Sequence, residues 1–127
     1  MSYIIKPSKN SAWRKHLRRN LAAEVIMYGK VAINSSHAPF LVKLVSKLIG
    51  WAKRGDLYSR RLSLRYLDGR KNTMVLDKSL DSPVRLIDKL FGVLAKRYEQ
   101  RNGGYTRIIR LANRQGDNSP NVIVSLV

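Results

Sequence analysis

Apolar residues recur every three to four positions in four stretches of this chain, which is the spacing of one face of a helix. The first predicted helix can begin at an N-cap on Asn10 or Ser11 and stop at Gly29. The second can be capped by Ser35 or Ser36 and end at Lys53-Arg54-Gly55. The apolar faces of these two helices comprise Trp13, Leu17, Leu21, Val25 and Tyr28, then Leu41, Leu44, Val45, Leu48, Ile49 and Ala52.

Two further helices are predicted in the middle of the chain. Asp56 can cap a third helix that runs to about Leu67. Ser82-Pro83 predicts the start of the fourth, because a capping serine precedes a proline at the first helical position, and Asn102-Gly103 would end it. Between these two helices, residues 68–80 predict a variable loop, in which T-M-V-L fits a strand or a helical turn. The apolar stripe of the fourth helix comprises Val84, Ile87, Phe91, Leu94 and Tyr98.

Short runs of β-branched residues predict three strands, at Lys30–Asn34, Tyr105–Ala112 and Asn121–Val127. We therefore expect an α+β protein of two layers, in which about four helices pack on one face of a small mixed sheet of about three strands. Residues 1–9 have little to bury and are expected to be an N-terminal extension. Residues 10–127 are expected to form one globular domain, the usual number for a chain of 127 residues.

The charge balance indicates the class of partner. The chain has 25 Lys and Arg against 8 Asp and Glu, a net charge of +17, and so it needs an anionic partner. Nucleic acid is the first candidate, because phosphate contacts supply most of the affinity of such proteins. An anionic membrane surface is the second, but no apolar stretch approaches the ~18 residues of a membrane span. The N-terminal residues do not resemble a signal peptide, so we expect a cytoplasmic protein with no membrane partner.

Residues that carry catalysis are scarce. The chain has no cysteine, which removes thiolate nucleophiles and cysteine-ligated zinc. The carboxylates are scattered, and His16 and His37 have no second histidine at metal-ligand spacing. Neither a Walker-type loop nor a G-x-S-x-G motif is present. We therefore expect no enzymatic activity, no metal, no cofactor and no small-molecule substrate.

Two groups of cations in the first half of the chain are candidate RNA contacts. Few acidic residues alternate with them, so the i,i+4 ion pairs of an ordinary solvated helix face are missing. Adjacent helix positions lie about 100° apart, so of Arg60 and Arg61 one is expected to brace the fold and the other to meet nucleic acid. The first group comprises Lys6, Lys9, Arg14, Lys15, Arg18 and Arg19, and the second Lys53, Arg54, Arg60, Arg61 and Arg65.

A third group of cations surrounds a double glycine, with arginines predicted on both faces of the following strand and at the turn. Glycines let a backbone approach phosphate closely and can form an anion-binding nest, although a helix end and a turn explain them as well. Tyr105 can stack on an unpaired base or pack in the core. Trp13 and Trp51 lie on apolar stripes and are expected in the core. The group comprises Arg101, Arg107, Arg110 and Arg114 with Gly103, Gly104 and Tyr105.

This C-terminal segment also resembles a known family. The run G-G-Y-T-R-I at Gly103–Ile108, the R-Q-G-D turn at Arg114–Asp117 and the final strand are similar to the C-terminal part of the bacterial-type large-subunit ribosomal protein seventeen family. The L-R-R-N-L-A run at Leu17–Ala22 and the A-K-R-G-D run at Ala52–Asp56 resemble other parts of that family. Three stretches depart from it: the N-terminus lacks a dense basic tail, residues 35–44 are more apolar, and residues 68–80 do not align. The apolar second helix leaves a contact with a neighbouring protein open.

The resemblance implies a structural protein of the large subunit of a bacterial-type ribosome, which binds large-subunit rRNA and adjoins other ribosomal proteins without enzymatic activity or a cofactor. Its cations would bridge the phosphates of separate rRNA helices. The alternative is a free-standing DNA-binding module with residues 36–67 as a helix-turn-helix, although its third helix lacks the Asn or Gln that reads base edges. Charge and likeness together indicate as rRNA contacts Arg14, Arg18, Arg19, Lys53, Arg54, Arg60, Arg61, Arg101, Arg107 and Arg114.

Overall fold

A computed structural model describes residues 10–67, 69–70, 72–76 and 82–127. The predicted extension, with Lys6 and Lys9, lies outside these residues, as does part of the predicted loop. The helices are α1 (Ser11–Tyr28), α2 (Ala38–Arg54, after a 3-10 turn at Ser35–His37), α3 (Leu57–Tyr66) and α4, which joins Leu86–Asp88, a π-helical stretch Lys89–Leu94 and Ala95–Arg97. The strands are β1 (Lys30–Asn34), β2 (Met74–Leu76), β3 (Pro83–Arg85), β4 (Thr106–Arg110) and β5 (Asn121–Leu126).

The larger sheet has the strand order β1-β5-β4, with β5 in the centre. Both pairings are antiparallel, and Val124 of β5 lies opposite Val31 on one side and Ile108 on the other. The sequence predicts a mixed sheet, but β5 runs against both of its neighbours. Strands β2 and β3 form a separate two-stranded sheet. The predicted α+β class, with four helices and a three-stranded sheet, is confirmed.

The hydrophobic core lies between one face of the larger sheet and the helices. Val124 in β5 is fully buried, and so are Val25 of α1, Val45 of α2 and Leu90 of α4. All four belong to one cluster of buried apolar side chains. Because side chains alternate along a strand, the residues of β5 between its buried valines, such as Ile123, point to the opposite face of the sheet.

Four predicted helix ends are confirmed. The Asn10 side chain accepts a hydrogen bond from the Trp13 N–H at 2.8 Å, and Asp56 accepts one from the Ser59 N–H at 3.3 Å. Gly29 and Gly55 follow α1 and α2 with φ of 78° and 69°. This left-handed conformation favours glycine. The N–H of each glycine donates to a carbonyl in the last turn of its helix, at Val25 and Trp51.

The predicted start of the fourth helix is wrong. Pro83–Arg85 is a strand that pairs with β2, and α4 begins at Leu86. Proline is compatible with an edge strand, so the pairing with Met74–Leu76 outweighs the local signal of Ser82-Pro83. The T-M-V-L run, for which two interpretations were open, is a strand from Met74.

The predicted end of the fourth helix and the burial of two aromatic residues are also wrong. Helix α4 stops at Arg97, and the chain continues in turns, in which the Glu99 N–H donates to the Lys96 carbonyl at 3.3 Å and the Arg101 N–H to the Tyr98 carbonyl at 3.0 Å. The Tyr98 side chain is buried and its hydroxyl donates to the Val127 carbonyl at 2.8 Å. Trp13 and Tyr28 are 42% and 71% exposed. The buried residues of α1 lie between Ala22 and Met27, so only that part of the helix packs into the core. Trp51 is partly buried against the core, as predicted.

Candidate nucleic-acid interface

The sheet face that points away from the helices carries cations on both of its outer strands. Lys30 of β1 and Arg107 of β4 are the cross-strand partners of Ser125 in β5, so the three side chains share that face. Both cations are exposed. Adjacent strands lie about 4.8 Å apart, which places the backbones of Lys30 and Arg107 about 10 Å apart. Lys30 is not among the contacts predicted from the sequence, although the alternation of β1, with Val31 directed to the core, places Lys30 on the opposite face.

Strand β4 presents its two arginines on opposite faces. Arg110 is three residues beyond Arg107 and lies opposite Val122, on the side of the sheet that the helices cover elsewhere. It is nevertheless exposed, because β4 is an edge strand. The arrangement agrees with the prediction of arginines on both faces of this strand.

Side-chain hydrogen bonds stabilise the turn between β4 and β5. The Arg114 Nε donates to Asp117 Oδ1 at 3.1 Å, and its Nη2 donates to the other carboxylate oxygen. The hydrogen bond from Arg114 lowers the pKa of Asp117 to about 2. Asn34 Nδ2 donates to Ser119 Oγ at 2.5 Å and ties the turn to β1. The charge of Arg114 is thus partly neutralised within the turn.

The double glycine leads into a braced corner of the fold. The Arg101 carbonyl accepts hydrogen bonds from Lys53 Nζ at 2.6 Å and from the Tyr105 hydroxyl at 3.1 Å. Gly104 has a φ of 61°, in the left-handed region. The Tyr105 ring is 7% exposed and packs edge-on against Tyr98, with ring centroids 5.3 Å apart. Of the two roles predicted for Tyr105, the structure supports packing.

The two adjacent arginines of α3 have different surroundings. Arg60 Nη2 forms an ion pair with Asp88 Oδ1 of α4 at 2.9 Å, and its guanidinium carbon lies 5.5 Å from the centroid of the Phe91 ring. Arg61 is exposed, as are Arg65 and Arg54. Arg60 therefore braces α3 against α4, and Arg61 is the cation that faces solvent.

A groove between α1 and α2, with a volume of about 420 Å³, gathers further cations. Its three cations from α1 are among the contacts predicted from the sequence, whereas Lys43 and Lys47 of α2 are not. The signal for these lysines is their spacing of three and seven residues from Phe40, which places all three on the helix face opposite the buried stripe. The groove is lined by Lys15, Arg18, Arg19, Phe40, Lys43, Leu44, Lys47 and Tyr66.

The described residues contain no group of three or more His, Cys, Asp or Glu side chains that could hold a metal ion. His16 lines a surface pocket together with Arg19 and Arg70. Within the described ranges, no helix is both long and apolar enough to cross a membrane. Arg14 lies at the start of α1, where its Nε donates to the Asn10 carbonyl at 3.4 Å.

Comparison with known proteins assigns the chain to a family. Residues 17–127 match the family model described as Ribosomal protein L17. The chain belongs to the ribosomal protein L17 family. It is 43% identical to the large ribosomal subunit protein bL17 of Mesoplasma florum, over 100% of both chains. It is 39% identical to that of Ureaplasma parvum over 100% of both chains, and 38% identical to that of Syntrophotalea carbinolica over 94% of this chain and 68% of the relative.

Membership of the L17 family confirms the resemblance found in the sequence. It also confirms that the chain is not an enzyme, because the family consists of structural components of the ribosome. The ribosomal interpretation is thereby favoured over the helix-turn-helix alternative.

Proposed function

We propose that this protein is a structural constituent of the large ribosomal subunit of bacteria, in the cytoplasm. It binds large-subunit rRNA through contacts between its arginines and lysines and the RNA phosphates, and it adjoins other large-subunit proteins. Two things support the proposal: the names of its relatives, which are large-subunit proteins bL17, and the exposed cations described above.

The observation that carries the mechanism is the distribution of these cations over separate faces of one core. Lys30 and Arg107 share the open face of the sheet, Arg61 and Arg65 lie on α3, and further cations line the α1–α2 groove. The elements beneath them contribute to one cluster of buried side chains. Because the faces share one core, RNA segments that bind to different faces are held in fixed relative positions. Phosphate contacts fix the orientation of a protein on nucleic acid, and here they would fix the orientation of each segment.

Little sequence readout is expected from these faces. The deep and narrow major groove of A-form RNA is closed to side chains, so recognition of its helices depends on backbone and minor-groove contacts. Cations on the open face of the sheet and on exposed helix faces are suited to phosphates. Affinity should accordingly fall steeply with salt.

Sedimentation of a cell lysate in a sucrose gradient tests the proposal as a whole. We expect the protein to migrate with the large subunit at physiological salt. A protein that stays at the top of the gradient would refute the ribosomal assignment.

The sheet face is tested by replacing Lys30 and Arg107 together with glutamine. Because two phosphate contacts are lost, the slope of log affinity for rRNA against log salt should decrease in magnitude by about 1.4 to 1.8. The matched control replaces Arg70 and Arg85, which are already paired with Glu24 at 3.6 Å and Asp88 at 3.3 Å. An equal change of slope in both variants would show that only net charge matters and that the sheet face is no specific contact.

A further inference from the structure

The groove between α1 and α2 combines cations with an exposed aromatic ring. Phe40 is 48% exposed although it lies in the first turns of a helix whose other face is buried in the core. The guanidinium carbon of Arg18 lies 4.1 Å from the centroid of the Phe40 ring, close enough to stack on it. One side of the ring is thus covered by a cation, and the exposed remainder of the ring faces the solvent.

The second ring in the groove is already engaged. Tyr66 lies 5.4 Å from the ring of Trp51, with the Arg19 guanidinium 5.4 Å and the Lys47 ammonium 5.9 Å from its own centroid. These contacts hold Tyr66 as the inner wall of the groove. Phe40 is therefore the ring that is open to a planar ligand.

The cations of the groove surround this ring on both helices. Lys43 and Lys47 follow Phe40 by about one and two helical turns on the same face of α2, and Lys15 approaches from α1. The groove has five cations, and none of its lining residues among those the structure describes carries a carboxylate. The groove therefore favours a ligand with several negative charges.

We infer that this groove binds a single-stranded segment of RNA, with one unpaired base stacked on Phe40 and the flanking phosphates held by Lys15, Lys43 and Lys47. The inference rests on the proposed function and extends it to a site for unpaired nucleotides. Stacking of bases on aromatic rings beside a basic track is the usual mode of single-strand binding. The volume of about 420 Å³ falls within the ~300–1,000 Å³ of typical ligand sites. An apolar protein segment would bury these five cations without supplying an anion to pair with them, so charge complementarity favours RNA.

The test compares a short single-stranded RNA oligonucleotide with the duplex of the same sequence, bound by the full chain. Phe40→Leu keeps the apolar bulk but removes the aromatic face, so affinity for the single strand should fall at least fivefold while affinity for the duplex is unchanged. Phe40→Trp should restore single-strand binding. Tyr28→Leu removes an aromatic residue that is 71% exposed outside the groove, and it should leave both affinities unchanged.

Lysine variants separate stacking from charge. Lys43→Gln with Lys47→Gln should reduce the salt slope for the single strand by about 1.4, whereas Phe40→Leu should leave the slope unchanged. Equal single-strand affinities for Phe40→Leu and the unsubstituted protein would overturn the inference. A second result would also overturn the inference: the Phe40→Leu variant binds RNA normally but is absent from purified large subunits. That result would assign the groove to a neighbouring protein. If the unsubstituted protein fails to migrate with large subunits, the proposed function fails instead.

Discussion

The contrast between Arg60 and Arg61 allows a sharp test, because the same substitution at two adjacent positions should affect two different properties. Arg60→Met should destabilise the folded protein and leave RNA binding little changed beyond the loss of one charge. Arg61→Met should leave stability unchanged and weaken RNA binding. Methionine keeps much of the unbranched side chain in both variants, so the guanidinium is the main difference.

The size of the stability effect follows from the contacts of Arg60. The ion pair with Asp88 is partly exposed, with side chains 41% and 37% accessible, and such pairs contribute up to about 1 kcal/mol. The contact with the Phe91 ring adds about 0.5 to 1 kcal/mol. Asp88 retains Arg85 at 3.3 Å, so its carboxylate keeps one partner. We expect a loss of about 0.5 to 2 kcal/mol, or a fall of roughly 2 to 8 °C in Tm for a chain of this size.

Thermal unfolding of RNA-free protein, followed by circular dichroism, measures the first property, and a salt titration of rRNA binding measures the second. For Arg61→Met we expect a stability change within about 0.5 kcal/mol and a salt slope lower by about 0.7 to 0.9. The reasoning is refuted if Arg61→Met lowers Tm as much as Arg60→Met does. It is equally refuted if Arg60→Met reduces the salt slope and Arg61→Met does not.

Three further outcomes are expected. Val124→Ala removes two buried methyl groups in the central strand and should cost about 2 to 3 kcal/mol in urea unfolding, whereas a cost below 1 would mean that the core is less tightly packed than described. The Asn34 side chain accepts a hydrogen bond from the Ser36 N–H at 3.0 Å and so caps the 3-10 turn at Ser35–His37. Asn34→Ala removes this cap and the link to Ser119, and a loss of about 1 to 2 kcal/mol should appear in the same assay; an unchanged midpoint would contradict that role. The pKa of Asp117 is lowered from 3.8 to about 2, so its ion pair stabilises the turn fully above about pH 3.8 and is lost as the pH falls through about 2. An NMR titration of the carboxyl carbon should show that midpoint, and Arg114→Gln should raise it; an unchanged midpoint would exclude Arg114 as the cause.

Helix positions were predictable where their signals act within one turn of the chain. Asn10 and Asp56 accept hydrogen bonds from N–H groups three residues later, and Gly29 and Gly55 need only their own conformational freedom. Such signals are present in any local window of sequence. The predicted start of α4 is wrong because Pro83–Arg85 pairs with Met74–Leu76. No local pattern around Ser82-Pro83 indicates that contact.

The sequence by itself determined that the protein is a basic member of a ribosomal protein family. Net charge, the absence of cysteine and the G-G-Y-T-R-I run are properties of composition and order, and folding does not change them. Only the tertiary structure decided which cations serve the fold. Arg60 donates a hydrogen bond to Asp88, which is 28 residues away along the chain. Lys53 donates one to the Arg101 carbonyl, which is 48 residues away. The groove around Phe40 likewise exists only where α1 and α2 pack together. Spacing along the chain decides which side chains share a face of a helix. What that face contacts depends on the packing of segments that are distant in the sequence.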